Sequence, residues 1–418
     1  MKIVKRVLAA VIALALMMTA AGCSTPKDAA KVGDVNIPTG EYLAYLYANS
    51  MGMYNMYAQY MGDASGMWEQ SFPYENPYDF SEDKQTTETT SATSDATSAA
   101  DENTLIMADY LKQQTKDQIV YFAVLKKILE ENGLSISAED LADADTYLAT
   151  MDATELLNKG ISKEHFKTMY VDTTYMEDTV FNGIYGVDAK GKNATKKADV
   201  DKYFADNYIA YEIIQVALVD SDKNPLTDKE IAEKKEELEG YRNVFYATGD
   251  FNKAIEAYDA ATTVNSDGEI PALDKEKYDV DYDGEPVEDV TALTSTNVQT
   301  VDVTAESTDQ DLVKMVKSLD EGAVDILEYN QNGGSKMAAL VYRVDPDNVK
   351  VNPNGYASAE DDVSTYVPLR ENVQDAILHS LRDKDFHALV KAKMDEQKSS
   401  ISFDSRAIKM CDPKNFFE

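Results

Sequence analysis

Histidine and cysteine are scarce in this chain, and positive charge is in short supply. The 418 residues include 3 His and 2 Cys, and 40 Lys and Arg stand against 75 Asp and Glu, for a formal net charge of −35. Two cysteines cannot form a disulfide framework, and no Cys/His cluster has the spacing of a transition-metal site. A surface this acidic repels a phosphate backbone, which excludes nucleic acid as a partner.

Motifs for nucleotide and hydrolytic chemistry are missing as well. The chain contains no Walker loop, no dinucleotide-binding fingerprint and no Ser/His/Asp constellation. We therefore expect no cofactor and no nucleotide partner. The apolar fraction is an ordinary 44%, with 26 Tyr, so a chain of this length has the material for two or three folded units.

The first 23 residues have the pattern of a bacterial export signal. Basic residues at positions 2, 5 and 6 precede an apolar run, Val7–Met18, that is too short to span a bilayer as a helix. Small residues and Gly22 then lead to Cys23, an arrangement that resembles the lipobox of bacterial lipoproteins. We expect residues 1–22 to be removed and Cys23 to carry a lipid that holds the protein on the extracytoplasmic face of the cell membrane. The alternative is an ordinary signal peptide followed by an unmodified cysteine.

The rest of the chain changes its hydrophobic pattern twice. Residues 23–207 show helical periodicity, interrupted by a Thr/Ser/Asp/Glu-rich stretch, so we predict a helical domain with a disordered insertion at about 62–103. Residues 208–347 alternate short apolar runs with helices and turns, which predicts an α/β domain. Residues 348–418 then predict a helix and a short strand.

Six segments in this order resemble the extracytoplasmic foldases of the PrsA/SurA type. They are KVGDVNIPTGEYLAYLY (31–47), NGLSISAED (132–140), NKGISKEHFKTMY (158–170), DVDKYFADNYIAYEIIQV (199–216), GDFNKAIEAYDA (249–260) and SLDEGAVDILEYNQNGGSKMAALVYRVD (318–345). The resemblance implies an α+β multidomain fold. Its mostly helical chaperone domain would be formed by the N- and C-terminal segments, with a degenerate parvulin-like α/β domain inserted between them.

The α/β segment departs from the parvulin pattern at the position of the characteristic histidine. The first strand reads Ile213-Ile214-Gln215-Val216, and the three histidines, His165, His379 and His387, lie in helical stretches outside it. We therefore expect a membrane-anchored chaperone that binds unfolded exported polypeptides, with weak or no prolyl isomerase activity and no catalytic residue. One alternative is an active parvulin-type isomerase, and a second is a ligand-binding or structural lipoprotein unrelated to folding.

Two further patterns are candidate sites. Tyr and Met recur at helical spacing early in the chain, where they are either a pliable client-binding face or core packing. The predicted client-binding residues are Tyr42, Tyr45, Tyr54, Met56, Tyr57 and Trp68. Asp279, Asp281 and Asp283 match the first half of a calcium loop, but the twelfth position is Val290 and not the bidentate Glu, which favours an acidic surface turn.

Overall fold

The computed structural model describes residues 26–80, 104–262, 298–305, 307–332, 334–353 and 363–417. The chain forms two compact units. The helical unit contains Met1–Thr195 and Arg382–Glu418, and the α/β unit contains Lys196–Leu381. The predicted α+β multidomain fold is therefore confirmed, with one unit built from both ends of the chain and the other inserted between them.

The helices and strands are numbered in chain order. The helices are α1 (Thr39–Met61), α2 (Met107–Glu131), α3 (Ala138–Ala149), α4 (Ala153–Asn158), α5 (Lys163–Val171), α6 (Glu177–Tyr185), α7 (Lys197–Asn207), α8 (Asp228–Thr248), α9 (Phe251–Thr262), α10 (Gln310–Lys317), α11 (Leu369–Asn372), α12 (Gln374–Gln397) and α13 (Ser405–Met410). The strands are β1 (Asp28–Val32), β2 (Val35–Pro38), β3 (Ser71–Pro73), β4 (Thr104–Ile106), β5 (Tyr208–Ala217), β6 (Gln299–Asp302), β7 (Val324–Gln331), β8 (Ser335–Val344), β9 (Lys350–Val351), β10 (Val367–Pro368) and β11 (Ile401–Phe403).

A small sheet joins the two ends of the chain in the helical unit. Strand β1 pairs antiparallel with β2 on one side and with β11 on the other. Val32 of β1 is buried and packs with partly buried Ile401 and Phe403 of β11 and with Val120 of α2. These apolar contacts and the ladder hydrogen bonds attach the C-terminal segment to the N-terminal one.

The core of the helical unit lies between α1, α2 and the helices that follow them. The first half of α1 and the second half of α2 are rich in apolar residues at helical spacing, and Tyr45 stacks on Phe122 with ring centroids 6.0 Å apart. Phe386 of α12 contacts Phe181 edge to face at 5.4 Å. This packing brings the part of α12 that follows Leu381 into the core of the helical unit.

The α/β unit is a four-stranded antiparallel sheet in the order β6-β5-β8-β7, with helices on both faces. Alternate residues of β5 and β8 point to opposite faces. On one face Tyr342 contacts Phe245 of α8 and Phe251 of α9, at 4.9 and 6.0 Å between ring centroids. Val313 and Val316 of α10 pack on the other face.

The unit boundaries differ from those predicted. Helix α7 was expected in the helical domain but belongs to the α/β unit, where Phe204 stacks on Tyr208 at 5.3 Å and Arg370 lies over the Phe204 ring at 4.9 Å. The predicted C-terminal domain, 348–418, is likewise divided. Its first part, through Leu381, stays with the α/β unit, where the Leu369 N–H donates to the Val349 carbonyl.

The first part of the predicted insertion, residues 62–80, is structured. Residues 62–80 contain a 3₁₀ turn, Ser65–Glu69, and strand β3, which pairs with β4. Ala64 and Met67 are buried, and the composition of the segment alone did not predict this burial. Residues 81–103, Cys23 and the three calcium-loop candidates, Asp279, Asp281 and Asp283, lie outside the described residues. Across the described part of the chain, every helix is too short or too polar to span a bilayer.

Candidate polypeptide-binding surface

Helix α1 is buried in its first half and exposed in its second. Ser50 is its last buried residue, and the side chains of Met56, Tyr60 and Met61 are 45%, 79% and 67% exposed. Gly62 ends the helix in the left-handed conformation at φ 75°, with its N–H donating to the Ala58 carbonyl. Large apolar side chains thus remain in solvent on the last turns of a well-formed helix.

Two of the predicted client-binding residues belong to the core. Tyr42 and Tyr45 are fully buried, because α1 presents them to α2 and to the helices after it. The Tyr45 hydroxyl donates to Asp172, and burial raises the pKa of both phenols. The prediction that these two residues contact clients is therefore wrong for this conformation, and the core-packing alternative holds for them.

The other four predicted residues lie at or near the exposed end of α1. Tyr54 stacks on Phe417 with ring centroids 4.4 Å apart, and Trp68 meets the same ring at 5.7 Å. All three rings are half-buried, and we refer to them as the aromatic cluster. Met56 is exposed and Tyr57 is half-buried on the same helix.

The chain's last residues hold this cluster in place. A 3₁₀ turn, Pro413–Phe416, is capped by the Asp412 side chain, and Phe416 packs edge to face on Tyr47 at 5.3 Å. Lys159 donates to the Phe416 carbonyl at 2.8 Å and lies over the Tyr47 ring. Sequence reasoning missed Phe417, because no local pattern places a residue next to one more than 300 positions away.

The sheet face of the α/β unit that holds Ile213 is filled by the protein's own side chains. Tyr211, Met337 and Val341 on this face are buried, and α10 covers part of it. Its polar groups are engaged, since the Tyr329 hydroxyl donates to the Gln215 side chain at 2.6 Å. None of the described residues on this sheet face is a histidine. His379 falls within the α/β unit but lies on α12.

Among the described residues, no group of three His, Cys, Asp or Glu side chains is arranged to hold a metal ion. The His165 backbone N–H donates to the Ser162 hydroxyl, and the His165 ring lies against Gly40. Cys411 is buried, which raises the pKa of its thiol to about 11 and makes it a poor nucleophile.

Comparisons with known proteins return structures but no sequence relatives. No protein-family model matches the chain, and no curated protein matches it. Among solved structures, the chain is similar to the foldase protein PrsA from Lactococcus lactis, at 12% identity and a TM-score of 0.29, over 73% of this chain and 89% of that one. It is also similar to PrsA from Streptococcus pneumoniae, at 13% identity and a TM-score of 0.31, over 73% of this chain and 94% of that one. Both are foldases of the kind that the sequence motifs resemble.

Proposed function

We propose that this protein is a membrane-anchored extracytoplasmic chaperone that binds unfolded exported polypeptides and has weak or no prolyl isomerase activity. The observation that carries the proposal is the exposed end of α1, where Met56, Tyr60 and Met61 stand in solvent on the last turns of the helix. Large apolar side chains exposed together mark surfaces that contact other molecules. Met and aromatic side chains suit varied partners, because they adapt to irregular apolar surfaces.

The charge of the chain supports this role. A protein that exposes apolar patches risks self-association, and a net charge of −35 opposes it by mutual repulsion. The same charge keeps a complex with an unfolded polypeptide in solution. Lipidation of Cys23 would hold the binding surface where exported chains emerge.

The filled sheet face of the α/β unit disfavours the isomerase alternative. Lowering the barrier of roughly 18–20 kcal/mol to rotation about an X-Pro bond requires a site that takes up and desolvates the prolyl ring. The described face around Ile213 is occupied by Met337, Tyr211 and α10. We therefore assign this unit a binding or structural role.

An aggregation assay tests the proposal. The purified protein should suppress aggregation of an unfolded test protein at near-stoichiometric ratios. Replacing Met56, Tyr60 and Met61 together by Ser should raise the amount needed for half-suppression by roughly tenfold, since each change removes apolar contact worth roughly 0.5 kcal/mol.

Leu141→Ser on α3 is the matched control, because Leu141 is an exposed apolar residue outside this surface and its loss should change little. Absence of suppression by the unmodified protein would refute the chaperone proposal. A large acceleration of proline-limited refolding, with no suppression of aggregation, would favour the isomerase.

A further inference from the structure

A groove of about 430 Å³ opens on the helical unit, at the end of β4 and beside the first turns of α2. Its apolar surface comes from Leu105, Phe403 and Ile408. A volume of this size accommodates a few side chains of a bound segment, and it lies within the range of small-ligand sites.

The rim of the groove is positively charged, although the chain as a whole is strongly acidic. Lys112 and Lys116 stand one turn apart on α2, Lys409 projects from α13, and Asp109 is the single acidic residue that lines the groove. The local charge is therefore 3 − 1 = +2, on a protein of net charge −35.

These lysines have no carboxylate partner among the described residues. Elsewhere in the helical unit, partly buried lysines do: Lys126 pairs with Asp172 at 2.6 Å, and Lys393 with Glu131 at 2.8 Å. Lys116 lies over the Phe403 ring at 5.9 Å, and Lys112 and Lys116 are half-buried. Two half-buried lysines thus line an apolar groove with no carboxylate of the described residues within ion-pair distance.

We propose that this groove binds polypeptide segments in which acidic and apolar side chains alternate, with client carboxylates at Lys112, Lys116 and Lys409 and client apolar side chains between Leu105, Phe403 and Ile408. This inference rests on the proposed function and names the class of client sequence. Charge complementarity selects the carboxylates. Strand β11, which contributes Phe403, is the edge of its sheet in the described structure, and edge strands are the places where extended peptides add by backbone pairing.

Fluorescence anisotropy with defined peptides tests the inference. The probes are a short labelled peptide of alternating Leu and Glu and its Leu/Gln counterpart. The unmodified protein should bind the Leu/Glu peptide more tightly than the Leu/Gln peptide, although the protein and the Leu/Glu peptide are both negatively charged. Lys112→Gln with Lys116→Gln should weaken that binding by about tenfold, and the Lys→Arg pair should restore it.

The control is Lys31→Gln with Lys127→Gln, which makes the same change in net charge at two lysines that do not line the groove. It should leave binding within twofold. In the unmodified protein, raising the salt concentration should weaken Leu/Glu binding and leave Leu/Gln binding nearly constant, a readout that needs no variant to fold.

The outcomes separate this inference from the proposed function. If the protein suppresses aggregation but binds the two peptides equally, the groove assignment is overturned and the chaperone proposal stands. If it neither suppresses aggregation nor binds either peptide, both fall. If the Lys→Gln pair abolishes binding to vesicles of anionic lipid and leaves peptide binding intact, the groove recognises a membrane surface and the inference is overturned.

Discussion

A buried ionic cluster in the helical unit yields a quantitative prediction. Lys126 of α2 lies 2.6 Å from Asp172 and 3.5 Å from Glu41, and the Tyr45 hydroxyl also donates to Asp172. Asp172 is 2% exposed and occupies a π-helical turn, Asp172–Met176, between α5 and α6. The cluster therefore joins α1, α2 and this turn, and Lys126→Met removes the cation that pairs with both carboxylates.

The loss of stability in Lys126→Met can be estimated from the charges that remain buried. At an effective dielectric constant of about 20, a pair 2.6 Å apart attracts by about 6 kcal/mol, most of which offsets the desolvation of the two charges. Without Lys126 two buried carboxylates lose their ion pairs, although Asp172 keeps the hydrogen bond from Tyr45, so unfolding should become easier by about 3 kcal/mol at neutral pH. Asp172→Asn keeps the Lys126–Glu41 contact and an acceptor for Tyr45, and should cost about half as much.

The effect of Lys126→Met should depend on pH. Burial raises the pKa of Glu41 and Asp172, and the Lys126 charge opposes that rise, so its removal moves both pKa values further upward. Raised carboxyl pKa values mean that the folded state binds more protons than the unfolded state. The variant's stability should therefore be best at low pH and fall, relative to the unmodified protein, as the pH rises through the raised values.

Urea unfolding followed by tryptophan fluorescence measures the free energy of unfolding of the helical unit. The single Trp of the chain, Trp68, lies in the helical unit, so its emission reports that unit separately from the α/β unit. Lys127→Met, at the next position of α2, is the matched control and should cost less than about 0.5 kcal/mol. Equal losses for Lys126→Met and Lys127→Met, or a loss at Lys126 that ignores pH, would refute the reasoning.

Three other predictions concern the anchor, the C-terminus and the α/β unit. Cys23→Ser should abolish incorporation of labelled fatty acid and move the protein from the membrane fraction to the soluble fraction; retention at the membrane would exclude the lipid anchor. Phe417→Ala removes the ring that contacts Tyr54 and Trp68, so it should shift Trp68 emission to the red and lower the free energy of unfolding by about 1–2 kcal/mol. Tyr60→Ala is the control and should leave the spectrum unchanged. Burial raises the pKa of several tyrosines of the α/β unit to about 12, so the stability they contribute should be present below their ordinary value of 10.0 and lost as the pH rises toward 12. Tyrosinate absorbance and circular dichroism should then change together, and a titration near pH 10 without loss of structure would contradict this. The tyrosines are Tyr208, Tyr211, Tyr241 and Tyr342.

Features determined by neighbouring residues were predictable from the sequence. The Thr227–Glu230 capping box is present, with both reciprocal hydrogen bonds, and Ser137 and Ser162 cap the helices that follow them. Gly133 follows α2 with φ at 63°. Each of these depends on hydrogen bonds or backbone strain within a few residues, which is the range that a sequence pattern encodes.

Features determined by distant residues were not predictable. The short strand predicted within residues 348–418 is limited to β11, because the Asp404 side chain caps the backbone after it and begins α13. Tyr42 and Tyr54 share a helix and a similar pattern, yet the first is fully buried and the second is half-buried in a stack with Phe417. Whether an apolar residue is core or surface is decided by what packs on it, and that partner lies far away in the chain.

The contrast between the two units bears on what kind of work the protein does. In the helical unit, apolar side chains at the end of α1 and in the lysine-rimmed groove remain accessible, and Phe417 stacks on Tyr54 of the same helix. In the α/β unit, α10 packs on the sheet face that holds Ile213, and the Tyr329 hydroxyl on that face donates to the Gln215 side chain. Binding to another polypeptide needs the first arrangement, whereas rotation about an X-Pro bond needs an open pocket that takes up the prolyl ring. The accessible surfaces therefore support the proposal that this protein retains other polypeptides by contact and releases them without isomerising their prolyl bonds.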